Sequence, residues 1–350
     1  VFNFIKQLAK TLFPGYFAFV MATGALSISA FLIGLEILAD FLLYLNIAAY
    51  SVLWLLTLVR IIHHPGRVFS DLTSHTLGSG FFTTVAGTCV LGSQMIIVAG
   101  HYSAAFLLWA FAILLWVLIM YTFFTAVTVR RNTPTLSEGI NGAWLIAAVA
   151  TQSVSILGTL LAPQMAQGKD VALFFTLCMY FLGCMLYLNI ITLIFYRFTF
   201  LQLKFSAFAP PYWINMGAVA ITSLAGATLI KHAGQWGLLT EITPFIKGFT
   251  LFFWAAGTWW IPLLFILWFW RHVYNRSPLE YGPQWWAMVF PLAMYTASTW
   301  ELAETLGTSF LKAIPHFMIY IALAAWLVVF WGLLRHLYFR AVHFYRSNKT

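Results

Sequence analysis

The chain has 350 residues, of which 62% are hydrophobic and 8% charged, with a mean hydropathy of +0.88. A soluble domain carries about 25% charged residues, so this chain has too little polar surface to face water and takes lipid as its solvent. The net charge of +9 then reads as membrane orientation rather than as nucleic-acid binding.

Ten apolar stretches follow in chain order, at 15–34, 41–59, 77–99, 104–126, 140–161, 171–196, 212–230, 249–270, 284–306 and 315–334. They run without the short alternation of barrel strands, so the reading is helical. At about 20 residues per span they fill the chain, giving an all-α integral membrane protein with one transmembrane domain. Lys6 and Lys10 lead straight into the first full-length span, so no cleavable signal peptide is expected.

Basic residues set the direction. With both termini placed in the cytoplasm, Lys6, Lys10, Arg60, Arg67, Arg130, Arg131, Arg197, Lys204, Arg271, Arg276, Arg335, Arg340, Arg346 and Lys349 share one side. Only Lys169, Lys231, Lys247 and Lys312 take the other. That imbalance predicts an even number of spans in a cell membrane, with cytoplasmic termini. Acids lean outward: Glu36, Asp40, Asp170, Glu241, Glu301 and Glu304 lie at or near the far side.

The odd spans hold nearly three times as many Gly, Ser and Thr residues as the even ones, which are dense in Leu, Phe, Ile and Trp. Small residues let helices approach closely, while bulky apolar ones suit lipid. The alternation predicts five helical hairpins, odd helices inside and even helices outside, around a central pore. All five inner helices then run outward, and their N-termini bring partial positive charge to the cytoplasmic mouth. The middle of the inner set carries no full charge, which suits passage of anions rather than tight binding. Pore-lining candidates on the odd spans are Gly24, Ser27, Thr83, Gly87, Asn141, Gln152, Ser223 and Thr296. Asn141, Gln94 and Gln152 either line the path or bridge helices.

Cys89, Cys178 and Cys184 fall inside apolar spans and form neither a disulfide framework nor a CxxC pair. Between the second and third spans lies "VRIIHHPGRVFSDLTSHT". It holds one adjacent histidine pair, His63–His64, with Arg67, Asp71 and His75. Membrane metal enzymes need several such clusters, so the expectation is a solvated basic loop, no metal, no cofactor and no enzyme.

The ninth span reads "WWAMVFPLAMYTASTWELAETLG". Pro291 removes a backbone hydrogen bond and pushes away the carbonyl of Ala287, so the helix kinks. A kink there can swing the ring of Phe290 across the axis, and an apolar ring at a constriction blocks hydrated ions. The alternative is that Phe290 packs like the other phenylalanines. Glu301 and Glu304 share a helix face near the outer end. They serve either as a proton-coupling site or as solvated mouth residues or subunit contacts.

"WWAMVFPLAMYTAST", with "FPGYFAFVMATGALSIS" at 13–29 and "APPYWINMGAVAIT" at 209–222, resembles the tellurite-resistance/C4-dicarboxylate transporter family. That family includes the slow-type anion channels of plant guard cells, malate permeases and sulfite efflux pumps. The resemblance implies ten helices around one pore per subunit, a homotrimer in membrane lipid, and a pore-occluding phenylalanine at the position of Phe290. It also implies small inorganic or organic anions as cargo: chloride, nitrate, sulfite, tellurite or C4-dicarboxylates. The family's inner helices are often bent by prolines. Here only the ninth span has one within it, and Gly24, Gly87 and Gly142 are the candidates for bends elsewhere. The inner spans show no fixed Lys or Arg at mid-membrane, which favours weakly selective, channel-like flow. The competing expectation is a proton-coupled C4-dicarboxylate, sulfite or tellurite carrier using Glu301 or Glu304.

Overall fold

The computed structural model describes residues 2–202 and 208–347, with side chains for 5–202 and 208–342. Lys204 and Lys349 lie outside the described residues, as does the side chain of Arg346. The described chain is helical: α1 (Phe2–Lys10), α2 (Ala18–Leu32), α3 (Glu36–His63), α4 (Pro65–Leu72), α5 (Phe82–Ala99), α6 (Tyr102–Val129), α7 (Leu136–Gly139), α8 (Ile146–Leu161), α9 (Lys169–Phe200), α10 (Ile214–Lys231), α11 (Gly237–Phe269), α12 (Trp286–Leu306) and α13 (Ala313–Ser347). Nine helical stretches among the described residues are long and apolar enough to cross a membrane. The tenth long helix, α12, is diluted by its hydroxyls and two carboxylates.

Helices α2, α5, α8, α10 and α12 form a closed inner ring, each packing on the next and α12 returning to α2. Each outer helix packs on its own hairpin partner and also leans on a second inner helix: α3 on α2 and α5, α6 on α5 and α8, α9 on α8 and α10, α11 on α10 and α12, α13 on α12 and α2. In their most apolar windows the four inner spans that meet the length and hydropathy criteria are 78 to 100% buried, against 22 to 50% for the outer ones. Bulky side chains such as Tyr44, Leu107, Phe174 and Tyr320 remain exposed on the outer helices, the surface that lipid covers.

Small residues set the inner spacing. A Cβ at Gly158 would meet Trp109 at 2.5 Å, and one at Gly217 would meet the Pro291 ring at 2.6 Å. Each inner helix opens with a 3₁₀ turn beginning at Pro or Gly: Pro14–Phe17, Gly78–Phe81, Gly142–Leu145, Pro210–Trp213 and Pro283–Trp285. Proline at the first position has no N–H to leave unpaired. Glycine allows contact without a Cβ, which at Gly142 would lie 2.2 Å from the Pro211 carbonyl oxygen. The five turns touch in a ring of their own, in chain order and closed from the last to the first. Thr11 and Arg340 meet at this same end, Nη2 to Oγ1 2.9 Å, so both chain termini lie there. We call it the basic end.

The outer helices outrun their apolar cores. Helix α11 starts at Gly237 rather than at Phe249, because Glu241, Pro244 and Lys247 dilute its first turns without breaking it. Pro291 is the proline inside an inner helix, and α11 carries Pro244 and Pro262.

Candidate functional site

A cavity of about 230 Å³ opens at the basic end of the inner ring. Each inner helix gives it a pair of residues three apart: Gly15 and Ala18, Gly80 and Thr83, Ala143 and Ile146, Pro211 and Ile214, Gln284 and Ala287. Three residues is nearly one helical turn, so each pair shares a face, and that face looks at the axis. Asn141, Glu138 and Arg197 are among the other lining residues. The Asn141 Oδ1 accepts the Ala143 N–H at 2.8 Å, capping the turn that opens α8.

A second cavity, about 300 Å³, opens at the opposite end, again lined by all five inner helices. It begins at Ile28, Val90, Ser153, Ile221 and Met294 and ends at Lys231, His232 and Glu301. On α5, α8, α10 and α12 its first residue lies two turns beyond the last residue of the basic-end cavity, about 10 Å along the helix. Residues 84–89, 147–152, 215–220 and 288–293 line neither space. None of them is charged.

Phe290 lies in this closed stretch and is 1% exposed. Pro291 packs on α10 at Gly217. Beyond Pro291 α12 is anchored from two sides. Ser29 Oγ donates to the Ala293 carbonyl at 2.8 Å. Thr258 Oγ1 and Tyr295 Oη lie 2.8 Å apart, and Trp254 Nε1 donates to Thr299 Oγ1 at 3.0 Å.

Of the pore-lining candidates, Thr83 and Asn141 line the basic-end cavity. The others line neither space. Ser27 donates to the Ala39 carbonyl of α3, and Gln152 Nε2 donates to the Tyr180 carbonyl of α9. Ser223 and Thr296 turn back to their own helices, onto Val219 and Leu292. Gly24 sits under Val90, Asn46 and Gln94, and Gly87 against Phe17.

The two carboxylates separate. Glu301 lines the second cavity and pairs with Lys231 at 3.1 Å, its side chain 13% exposed against 57% for the lysine. Glu304 pairs with Lys312 instead, whose Nζ lies 4.8 Å from the Trp300 ring centre. In the histidine loop, Asp71 is held by Arg60. Burial pushes the His75 imidazole below its ordinary value, with nearby Arg130 adding to the effect; its Nδ1 is buried without a partner.

Sequence reasoning missed Arg197. It ends an outer helix and reads there as a flanking charge, yet it is 8% exposed and lines the basic-end cavity. Its Nη1 donates to the Ile140 carbonyl and to the Tyr212 hydroxyl.

This architecture is that of a helical integral membrane protein, five hairpins arranged as two layers about an axis entered from both ends. The profile of the voltage-dependent anion channel family (SLAC1) matches residues 11–334, and the chain belongs to that family. It is 26% identical over 331 residues to an uncharacterised transporter of Methanocaldococcus jannaschii, covering 93% of this chain and 94% of that one. It is 23% identical to a sulfite efflux pump of Arthroderma benhamiae, over 91% and 88% of the two chains. A malic acid transport protein of Schizosaccharomyces pombe is 22% identical, over 95% and 80%.

Proposed function

We propose that the protein passes small anions along the axis of the inner ring, that Phe290 closes this path, and that it does so in a cell membrane with both termini cytoplasmic. The observation that carries the reading is the pair of cavities, one entering from each end and separated by two uncharged turns that hold Phe290. Between Ala287 and Met294 the same face of α12 presents Phe290 or Pro291, and Pro291 is occupied with Gly217. The corresponding positions on α5, α8 and α10 are Ala86 or Gly87, Val149 or Ala150, and Gly217 or Ala218. Against such small neighbours one phenyl ring is enough to fill the axis. The converging N-termini and the basic residues at that end draw anions in. Family membership and the names of the sulfite and malic acid relatives point to the same cargo class. A homotrimer with one path per subunit fits the apolar outer layer.

The second reading is a proton-coupled C4-dicarboxylate, sulfite or tellurite carrier. Its support is Glu301, a carboxylate in the second cavity. Liposomes separate the two. The channel reading expects Phe290→Ala to carry several anions without a pH gradient while wild type carries little. Flux that needs a proton gradient and disappears in Glu301→Gln would turn the conclusion to the carrier.

A further inference from the structure

Three arginines near the basic end have restricted access to water, and the fold treats them differently. Arg60 is paired with Asp71. Arg271 donates to the Phe208 carbonyl, and its Nε is buried without a partner, as is that of Arg60. Arg197 is more than nine-tenths buried, and among the described residues no carboxylate lies within ion-pair distance of it. Its Nη1 spends both hydrogens on Ile140 and Tyr212. Nε and Nη2 are bonded to no described acceptor, nor are they among the buried polar atoms left without a partner. That edge of the guanidinium is therefore open, and the residue lines the basic-end cavity.

A nearly buried cation without a counter-ion is unfavourable, and an anion entering the cavity relieves it. The open edge carries two parallel N–H donors, the fork that matches two oxygens of one carboxylate or other oxyanion. A halide offers a single centre and satisfies the fork poorly. A volume of about 230 Å³ leaves room for a small oxyanion with part of its hydration. Five inner-helix N-termini around the same space add to the positive potential.

We infer that Arg197 makes the basic-end cavity a binding site for carboxylates and other oxyanions, and that this residue sets a preference for them over halides. The binding stands on the cavity alone; its effect on selectivity rests on the axial path proposed above.

The first test is thermal unfolding of the purified full-length protein in detergent, with sodium malate, sodium sulfite or sodium chloride at equal ionic strength. Malate and sulfite should raise the midpoint saturably and chloride should not. Arg197→Lys keeps the charge but removes the fork, and should weaken the oxyanion effect by about tenfold. Thr83→Glu leaves the Arg197 anchors in place but adds a second carboxylate to the cavity that Glu138 already lines, and should abolish the effect even if Arg197→Lys does not fold. Equal stabilisation by chloride, or oxyanion stabilisation that survives Thr83→Glu, would overturn the site. The second test is the malate-to-chloride permeability ratio in the Phe290→Ala background, which should fall in Arg197→Lys. An unchanged ratio refutes the selectivity role. If Phe290→Ala carries no anion while oxyanions still stabilise the protein, the axial path fails and the Arg197 site stands.

Discussion

The two cavities are built from the same five helices and differ in how they hold charge. At the basic end Arg197 lines the space together with Glu138, and among the described residues no acid lies within ion-pair distance of it. At the other end Lys231 and Glu301 face each other at 3.1 Å. The first charge is a buried side chain at the end of an outer helix, held by backbone and hydroxyl oxygens; the second is a pair with a largely exposed lysine. A charge held by neutral groups keeps its field for a ligand, whereas a charge in a pair has most of its field cancelled. On the proposal above, recognition belongs to the basic end, and the far cavity has little net field.

Phe290→Ala should erase the separation between the cavities and raise anion flux by at least an order of magnitude, because an apolar ring at a constriction excludes hydrated ions. Unchanged flux would contradict closure of the path by this ring. Gly217→Ala should come next. Its Cβ would press on Pro291, costing about 1–3 kcal/mol as overpacking, and flux should change with it as the kink moves. Tyr295→Phe removes the contact with Thr258. A bond of that kind in a membrane protein contributes about 0.6 kcal/mol, rarely more than ~1.7, and unfolding in mixed micelles would register it.

At the basic end, His75 has a folded-state pKa below its unfolded value, so the native protein favours the neutral ring. Its stabilising contribution is complete above the unfolded pKa of roughly 6.5 and is lost as pH falls below it. His75→Gln should therefore make the loss of stability between about pH 7 and pH 5 shallower; an identical slope would remove His75 from the account. The smallest effect belongs to the far cavity. Glu301→Gln breaks a pair with an exposed lysine and should cost no more than about 1 kcal/mol. It should leave flux independent of a proton gradient.

The two-layer fold was legible because composition records which helices touch protein and which touch lipid. Gly158 under Trp109 and Gly217 under Pro291 show why the odd spans need small residues. Which inner residues face the axis was not legible. All residues from Ile214 to Ile230 are buried, so the sequence has no polar side to mark the path. Ser27 and Gln152 are polar because they bind outer-helix carbonyls, and Ser223 because it bonds its own helix. The axis-facing set at the basic end, Ala18, Thr83, Ile146, Ile214 and Ala287, is ordinary in composition. Arg197 was hidden for a different reason. Its position at a helix end satisfies the orientation rule, and only the fold turns it into the cavity. Phe290 is singled out only by the proline beside it and by the family resemblance, since neither its residue type nor its burial distinguishes it.

The proposed path is one axis reached from opposite sides and closed between them. Thiol accessibility tests this most directly, using Thr83→Cys and Ser153→Cys in a background where Cys89, Cys178 and Cys184 are replaced. A membrane-impermeant methanethiosulfonate should modify Thr83→Cys only from the side carrying both termini and Ser153→Cys only from the other. Adding Phe290→Ala should let the reagent reach both positions from either side. Modification of either cysteine from both sides with Phe290 intact, or no gain of access in Phe290→Ala, would contradict a single path closed at that ring.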